Sequence, residues 1–170
     1  LYTFSFGTIL TVIPDFTESM GIENKGLYFT IFFLASLLSR LVAGKVSDIY
    51  GRLIVLKAGL WIIGVGLLLT GFAESKWILL LGAACYGFGG GITSPAIFAW
   101  TIDLSLPEKK GRGISSMFLS LEVGIGMGAL FSGWMFNNTI GNIPPIFVMC
   151  TFLVVVALVY LQVNFRKRPF

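Results

Sequence analysis

The chain has 170 residues, of which 56% are hydrophobic, 15% aromatic and only 12% charged, with a formal net charge of +4. Together with a mean hydropathy of +0.89, this excludes a soluble enzyme, a disulfide scaffold and a disordered segment. Soluble chains are about 25% charged and need polar side chains to cover a core of this length. The sequence therefore reads as an all-α integral membrane protein with no enzymatic role. There is no histidine, which removes a Ser-His-Asp triad, a His-ligated metal and an imidazole base. Cys85 and Cys150 sit in apolar runs without a Cys-x-x-Cys partner, so they read as buried thiols, and no metal site is expected.

A spanning helix needs about 20 mostly apolar residues, and six stretches approach or meet that requirement. Segment one runs from residue 1 to about 13 and reads as cut short at its start, with no basic leader that would make it a signal peptide. Pro14-Asp15 is expected to end it, and Gly21 with Asn24-Lys25-Gly26 leads into segment two, about 26–46. Segment three covers about 53–72, and Ala73-Glu74-Ser75-Lys76 separates it from segment four, 77–100. Leu106-Pro107-Glu108 precedes segment five, 113–136. Asn137-Asn138 and Gly141-Asn142, followed by Pro144-Pro145, precede segment six, 144–163. The runs are too long for strands and lack strict alternation. No linker is long, so residues 1–170 read as one six-helix domain.

Basic residues are divided unevenly between the two ends of such a bundle. Arg40, Lys45, Arg52, Lys57, Lys109, Lys110, Arg112, Arg166, Lys167 and Arg168 fall on one side, and only Lys25 and Lys76 on the other. The crowded side is expected to be cytoplasmic, with both termini of the segment there. The positive balance thus reads as a topology signal rather than a nucleic-acid patch.

Between segments two and three the chain reads Gly44-Lys45-Val46-Ser47-Asp48-Ile49-Tyr50-Gly51-Arg52. This resembles the loop motif of the major facilitator superfamily, roughly G-x-x-x-D-[RK]-x-G-R-[RK]. Leu38-Ser39-Arg40-Leu41-Val42-Ala43 and Leu106-Pro107-Glu108-Lys109-Lys110-Gly111-Arg112 are also similar to members. Ile49 and Leu53 depart from the motif, where basic residues are usual. The resemblance covers the whole chain and implies one half of a twelve-helix fold. The Thr11-Val12-Ile13-Pro14 run, Arg40 and the basic tail resemble the carboxyl-terminal half, roughly helices seven to twelve, whose partner would be the amino-terminal half. It also implies that Gly44, Asp48, Gly51, Arg52 and Arg40 form a cytoplasmic gating loop. On the residues alone, Asp48 can pair with Arg52 or face the positive end of a neighbouring helix, and the two glycines allow a tight turn and close approach. A plain topogenic turn with a solvated salt bridge fits the same residues.

Two further features suggest chemistry within the membrane. Glu122 lies nine residues after Gly113, about 14 Å along a helix axis. An ionised carboxylate at that depth costs roughly 2.5–3.5 kcal/mol, so it must be protonated, paired or facing water. Glu122 is therefore the candidate for proton coupling or for binding a cationic group, with a structural hydrogen bond as the alternative. Gly126, Ala129 and Gly133 share its face, and Gly124 and Gly128 form a Gly-x-x-x-Gly pair, which suits close helix packing.

Segment four carries Tyr86-Gly87-Phe88-Gly89-Gly90-Gly91-Ile92-Thr93-Ser94-Pro95 and is expected to bend or loosen its hydrogen-bond ladder. Tyr86, Gly90, Thr93 and Ile97 share a face, so Tyr86 and Thr93 are candidate cavity-lining residues, with tight packing as the other reading. A G-x-G-x-x-G fingerprint fails because Ile92 stands at its third glycine. Asn137-Asn138-Thr139 matches a glycosylation acceptor, and Asp103 reads as a helix-end or loop charge.

These readings converge on a multi-pass secondary transporter of the plasma or inner membrane. It would move a small organic molecule by alternating access, most simply by proton-coupled efflux, with the proton gradient as energy source and no cofactor. An uncoupled facilitator, a sugar or metabolite uptake permease and a non-transporting membrane scaffold are the alternatives. Its expected partners are the lipid bilayer, a small-molecule substrate and the other transporter half.

Overall fold

A computed structural model describes residues 2–137 and 139–164. Arg166, Lys167 and Arg168 of the basic tail, and Asn138 of the acceptor pattern, lie outside the described residues. Six α-helices follow in order: α1 (Tyr2–Ser19), α2 (Leu27–Tyr50), α3 (Arg52–Gly71), α4 (Lys76–Leu104), α5 (Lys110–Phe136) and α6 (Ile143–Asn164). Short 3₁₀ turns at Pro107–Lys109 and Ile140–Asn142 lead into α5 and α6. Helix is what lipid demands of long apolar runs, because it satisfies every backbone polar group internally.

Among the described residues, the five helices α2 to α6 are long and apolar enough to cross a membrane. The expected sixth, α1, falls short by that measure, with Asp15 and Glu18 in its last two turns.

Several expected breaks are helical. Pro14 does not end α1, which continues to Ser19; the Thr17 hydroxyl donates to the Pro14 carbonyl at 2.9 Å. The stop comes at Gly21, whose φ of +68° suits a residue without a Cβ. Gly21 N–H donates to the Glu18 carbonyl and Ile22 N–H to the Thr17 carbonyl, the paired closure of a Schellman cap. Beyond the cap, the Glu18 carboxylate accepts from Lys25 Nζ at 2.6 Å, and this bond raises the lysine pKa above its ordinary value.

The helices associate in the sequence α5–α1–α6–α3–α4–α2, with lighter contact between α4 and α5. Lipid supplies little hydrophobic drive for helix association, so close backbone approach takes over. A Cβ on Gly7 would strike the Ile125 carbonyl and one on Gly128 the Phe4 carbonyl, which brings α1 and α5 into backbone contact. Gly87 and Gly91 meet the Phe32 and Ser36 carbonyls of α2, while Gly89 and Gly82 meet α3 at Gly59, Ile63 and Thr70. The glycine-rich stretch of α4 therefore stays helical through Pro95 instead of loosening; its glycines are contact points.

The buried apolar core runs through Ile9, Val12 and Ile13 of α1, Ile63 and Leu67 of α3, Leu79 and Ala83 of α4, and Phe147 and Val154 of α6. Helices α2 and α5 lie at its margins. The buried stripe of α2 is narrow (Tyr28, Phe32, Ser36, Ser39, Ala43, Ser47), and α5 buries only Gly128, Ser132 and Phe136.

Candidate functional site

A cavity of about 240 Å³ opens between α1, α2, α4 and α5. Its walls include Phe6 of α1; Phe32, Phe33 and Arg40 of α2; Tyr86, Gly90 and Ser94 of α4; and Phe118, Leu121 and Glu122 of α5. Arg40, Ser94, Phe118 and Leu121 also line an adjoining cavity of about 320 Å³ that reaches Pro95 and Phe98. The aromatic wall is continuous: the Phe6 and Phe32 rings are 5.7 Å apart, and Phe32 and Tyr86 5.8 Å.

Glu122 stands in this cavity. It lies twelve residues into α5, about 18 Å along the axis, and its side chain is exposed in the open face of the chain. Among the described residues, no cation forms an ion pair with it. Tyr86 also lines the cavity, and its hydroxyl shares a 2.9 Å hydrogen bond with Ser5 Oγ of α1. It both borders the space and fastens α4 to α1.

Thr93 follows the packing reading rather than the cavity-lining one. It is fully buried against Gly59 of α3, and its hydroxyl has no hydrogen-bond partner. Helical rotation of about 100° per residue explains the difference. Relative to Tyr86, Thr93 turns about 20° toward α3, whereas Gly90 and Ser94 turn toward the cavity. Gly90 has open space where a Cβ would stand, unlike Gly87, Gly89 and Gly91. Ser94 takes the wall position expected of Thr93.

The motif between segments two and three is not an open loop. Residues 44–50 form the last turns of α2, and the break is the single residue Gly51, with φ of +88°. Arg52, the first residue of α3, donates from Nη1 to Asp48 Oδ1 at 2.9 Å and from Nε to Asp103 Oδ2 at 2.9 Å. One guanidinium thus ties the ends of α2 and α4 to the start of α3. Asp103, read from sequence as a helix-end or loop charge, is the third member of this cluster. Its 51-residue separation from Arg52 left no local signal.

Gly44, expected to allow close approach, has open space beside it. Arg40, grouped by resemblance with the motif, is two turns away from Asp48 and lines the cavity with Glu122. The signal was available: Leu37-Leu38-Ser39-Arg40-Leu41-Val42 sets a cation within an apolar run, the pattern that singled out Glu122.

Chemically, the cavity provides a fixed cation, a carboxylate able to take a proton, and an aromatic wall. Comparison with known proteins identifies the family of the chain. The family profile described as Major Facilitator Superfamily matches residues 1–170. The chain is similar to Multidrug resistance protein 3 of Bacillus subtilis, 29% identical over 154 residues, covering 83% of this chain and 30% of that protein. It is similar to the uncharacterized MFS-type transporter YhhS of Salmonella typhimurium, 26% identical over 164 residues, covering 96% and 40% respectively. Multidrug resistance protein MdtH of Yersinia enterocolitica is 30% identical over 92 residues, covering 54% and 23%. The chain therefore spans less than half the length of these curated relatives.

Proposed function

The chain belongs to the major facilitator superfamily, and from that premise we propose that it is one six-helix half of a proton-coupled exporter of small organic molecules. The family and its relatives place the chain among multi-pass membrane transporters and not among enzymes. What is proposed beyond that is the coupling, the direction and the pairing with a second half. α1 serves as the sixth span in this reading, residues 1–170 are the carboxyl-terminal domain, and both termini of this segment face the cytoplasm across the cell membrane.

The observation that carries the reading is Glu122, a carboxylate deep in α5, lining a cavity with no ion-pair partner among the described residues. Such a group is switched most simply by a proton, so the proton gradient supplies the energy and no cofactor is needed. The missing half has a natural seat. Leu37, Leu38 and Leu41 of α2 and Leu119, Leu130 and Trp134 of α5 are exposed apolar side chains on helices that flank the cavity. A second bundle covering them would enclose the substrate between the halves near the midplane. The Asp48–Arg52–Asp103 cluster forms and breaks as the halves rock, latching one end of the path.

The test is rhodamine 123 movement in proteoliposomes of the full-length protein, with and without an imposed pH gradient. Wild type should move the dye faster with the gradient. Glu122→Gln should lose that acceleration while inserting normally, and Glu122→Asp should keep part of it. Equal flux with and without the gradient in wild type would mean an uncoupled facilitator, and pH-dependent transport by Glu122→Gln would remove Glu122 from the coupling step.

A further inference from the structure

We propose that the cavity takes an aromatic zwitterion, with Arg40 as the anchor of its carboxylate and Glu122 as the counter-ion of its cationic group. This specifies the substrate class of the same site and rests on the transporter reading above.

Two opposite charges share the cavity without meeting. Arg40 projects from α2 and Glu122 from α5, and both line the same space. They form no ion pair with each other, and neither pairs with another charged residue among those described. The ionisable groups that face this space are Tyr2 on α1, Arg40 on α2, Tyr86 on α4 and Glu122 on α5. If mutual neutralisation were their purpose, the two charges would sit in contact, because unpaired charge is expensive in a membrane. Held apart, they are best satisfied together by a molecule carrying both complementary charges. A simple cation satisfies Glu122 but is repelled by Arg40, and a simple anion meets the reverse problem.

The material around the charges selects the body of that molecule. Phe6, Phe32, Phe33 and Phe118 line the cavity, and their rings favour stacked or edge-on aromatic ligands. Arginine suits the anionic end, because its planar fork meets a carboxylate with two parallel hydrogen bonds.

The same arrangement supplies an exchange rule. Arg40 cannot release its proton under physiological conditions, so only the Glu122 end is switchable. With Glu122 ionised, the two side chains sum to zero charge and match a zwitterion. When Glu122 takes a proton, Arg40 leaves a surplus positive charge, the ligand's cationic group loses its partner, and the ligand is released. The proton stays on the Glu122 carboxyl until the cavity reopens to the other side.

Rhodamine 110 and rhodamine 123 test this directly. They share one aromatic cation, but the first has a free carboxylate where the second has a methyl ester. In proteoliposomes of the full-length protein under a pH gradient, rhodamine 110 should half-saturate transport at about tenfold lower concentration than rhodamine 123. Arg40→Gln should weaken rhodamine 110 about tenfold and, by removing the repulsion, improve rhodamine 123, so that the preference between the dyes disappears. Arg40→Lys should recover part of the loss, since it restores the charge without the fork, and this rescue separates ligand contact from misfolding. A wild-type preference for rhodamine 123, or equal weakening of both dyes by Arg40→Gln, overturns the proposal. Gradient-driven movement of both dyes that ignores Arg40 overturns this inference and leaves the transporter reading standing. Movement of neither dye overturns both.

Discussion

Thr93 and Arg52 show how differently two polar side chains can behave in one bundle. The Thr93 hydroxyl is sealed between α3 and α4 without a partner, and an unsatisfied buried hydroxyl costs about 1–3 kcal/mol. Thr93→Val removes that burden at nearly constant shape. The variant should keep its fold and transport, with a thermal midpoint equal to or above wild type in a detergent melt; a large fall would mean the hydroxyl holds a bond in the working protein.

Arg52 is half-exposed, with 32% of its side chain accessible, and its partners Asp48 and Asp103 are more open still. Exposed pairs of this kind contribute only about 0.2–1 kcal/mol each. Asp103→Asn should therefore barely move the thermal midpoint. Its effect should appear in transport rate, because the contact joins three helix ends that must separate if the cluster is a latch. Unchanged rates in dye efflux would reduce it to a surface ion pair.

At the scale of elements, the glycines explain why α1 and α5 form one pair and why α4 anchors both α2 and α3. Backbone meets backbone at Gly7–Ile125, Gly128–Phe4, Gly87–Phe32 and Gly91–Ser36, and a side chain at any of these points must push two helices apart. Overpacking of a well-fitted interface typically costs about 1–3 kcal/mol. Gly128→Val and Gly87→Val should each lower the midpoint clearly, whereas Gly90→Ala, with open space beside it, should be tolerated thermally and act only through the cavity. If Gly128→Val melted like wild type, α1 and α5 would not be in backbone contact.

Much at this scale was legible from the residue pattern. The apolar runs located all six helices, and Gly21, Asn24-Lys25-Gly26 and Ser75 marked true turns or caps. Two boundaries were misplaced for different reasons. Pro14 read as a break because local propensity disfavours helix there, yet the helix continues with the Thr17 hydroxyl bonded to its carbonyl; the motif ahead of Gly51 read as a loop by resemblance, yet its residues extend α2.

For the whole molecule, helix direction alternates along the chain. Lys25 and Lys76 therefore lie at one end, with Lys45, Arg52, Lys57, Lys109 and Lys110 at the other. The positive-inside rule assigns the crowded end to the cytoplasm. On a Cys85→Ala, Cys150→Ala background, Lys25→Cys should react with a membrane-impermeant maleimide added to intact cells, and Lys109→Cys should react only after permeabilisation. The opposite pattern would invert the proposed orientation and with it the direction of the gate.

The sequence by itself determined that the chain lies in a membrane, roughly where its helices fall, which end is basic, and that Glu122 is a charge out of place; it also carried the family resemblance. These are properties of composition and of spacing along one helix. The tertiary structure decided which charges share a space. Arg40 and Glu122 come from α2 and α5, and Asp103 reaches Arg52 from α4. No local pattern encodes those meetings, because they depend on how far each helix turns about its axis against its neighbours. One residue's turn of about 100°, from Thr93 to Ser94, determines whether a hydroxyl is packed against α3 or faces the cavity.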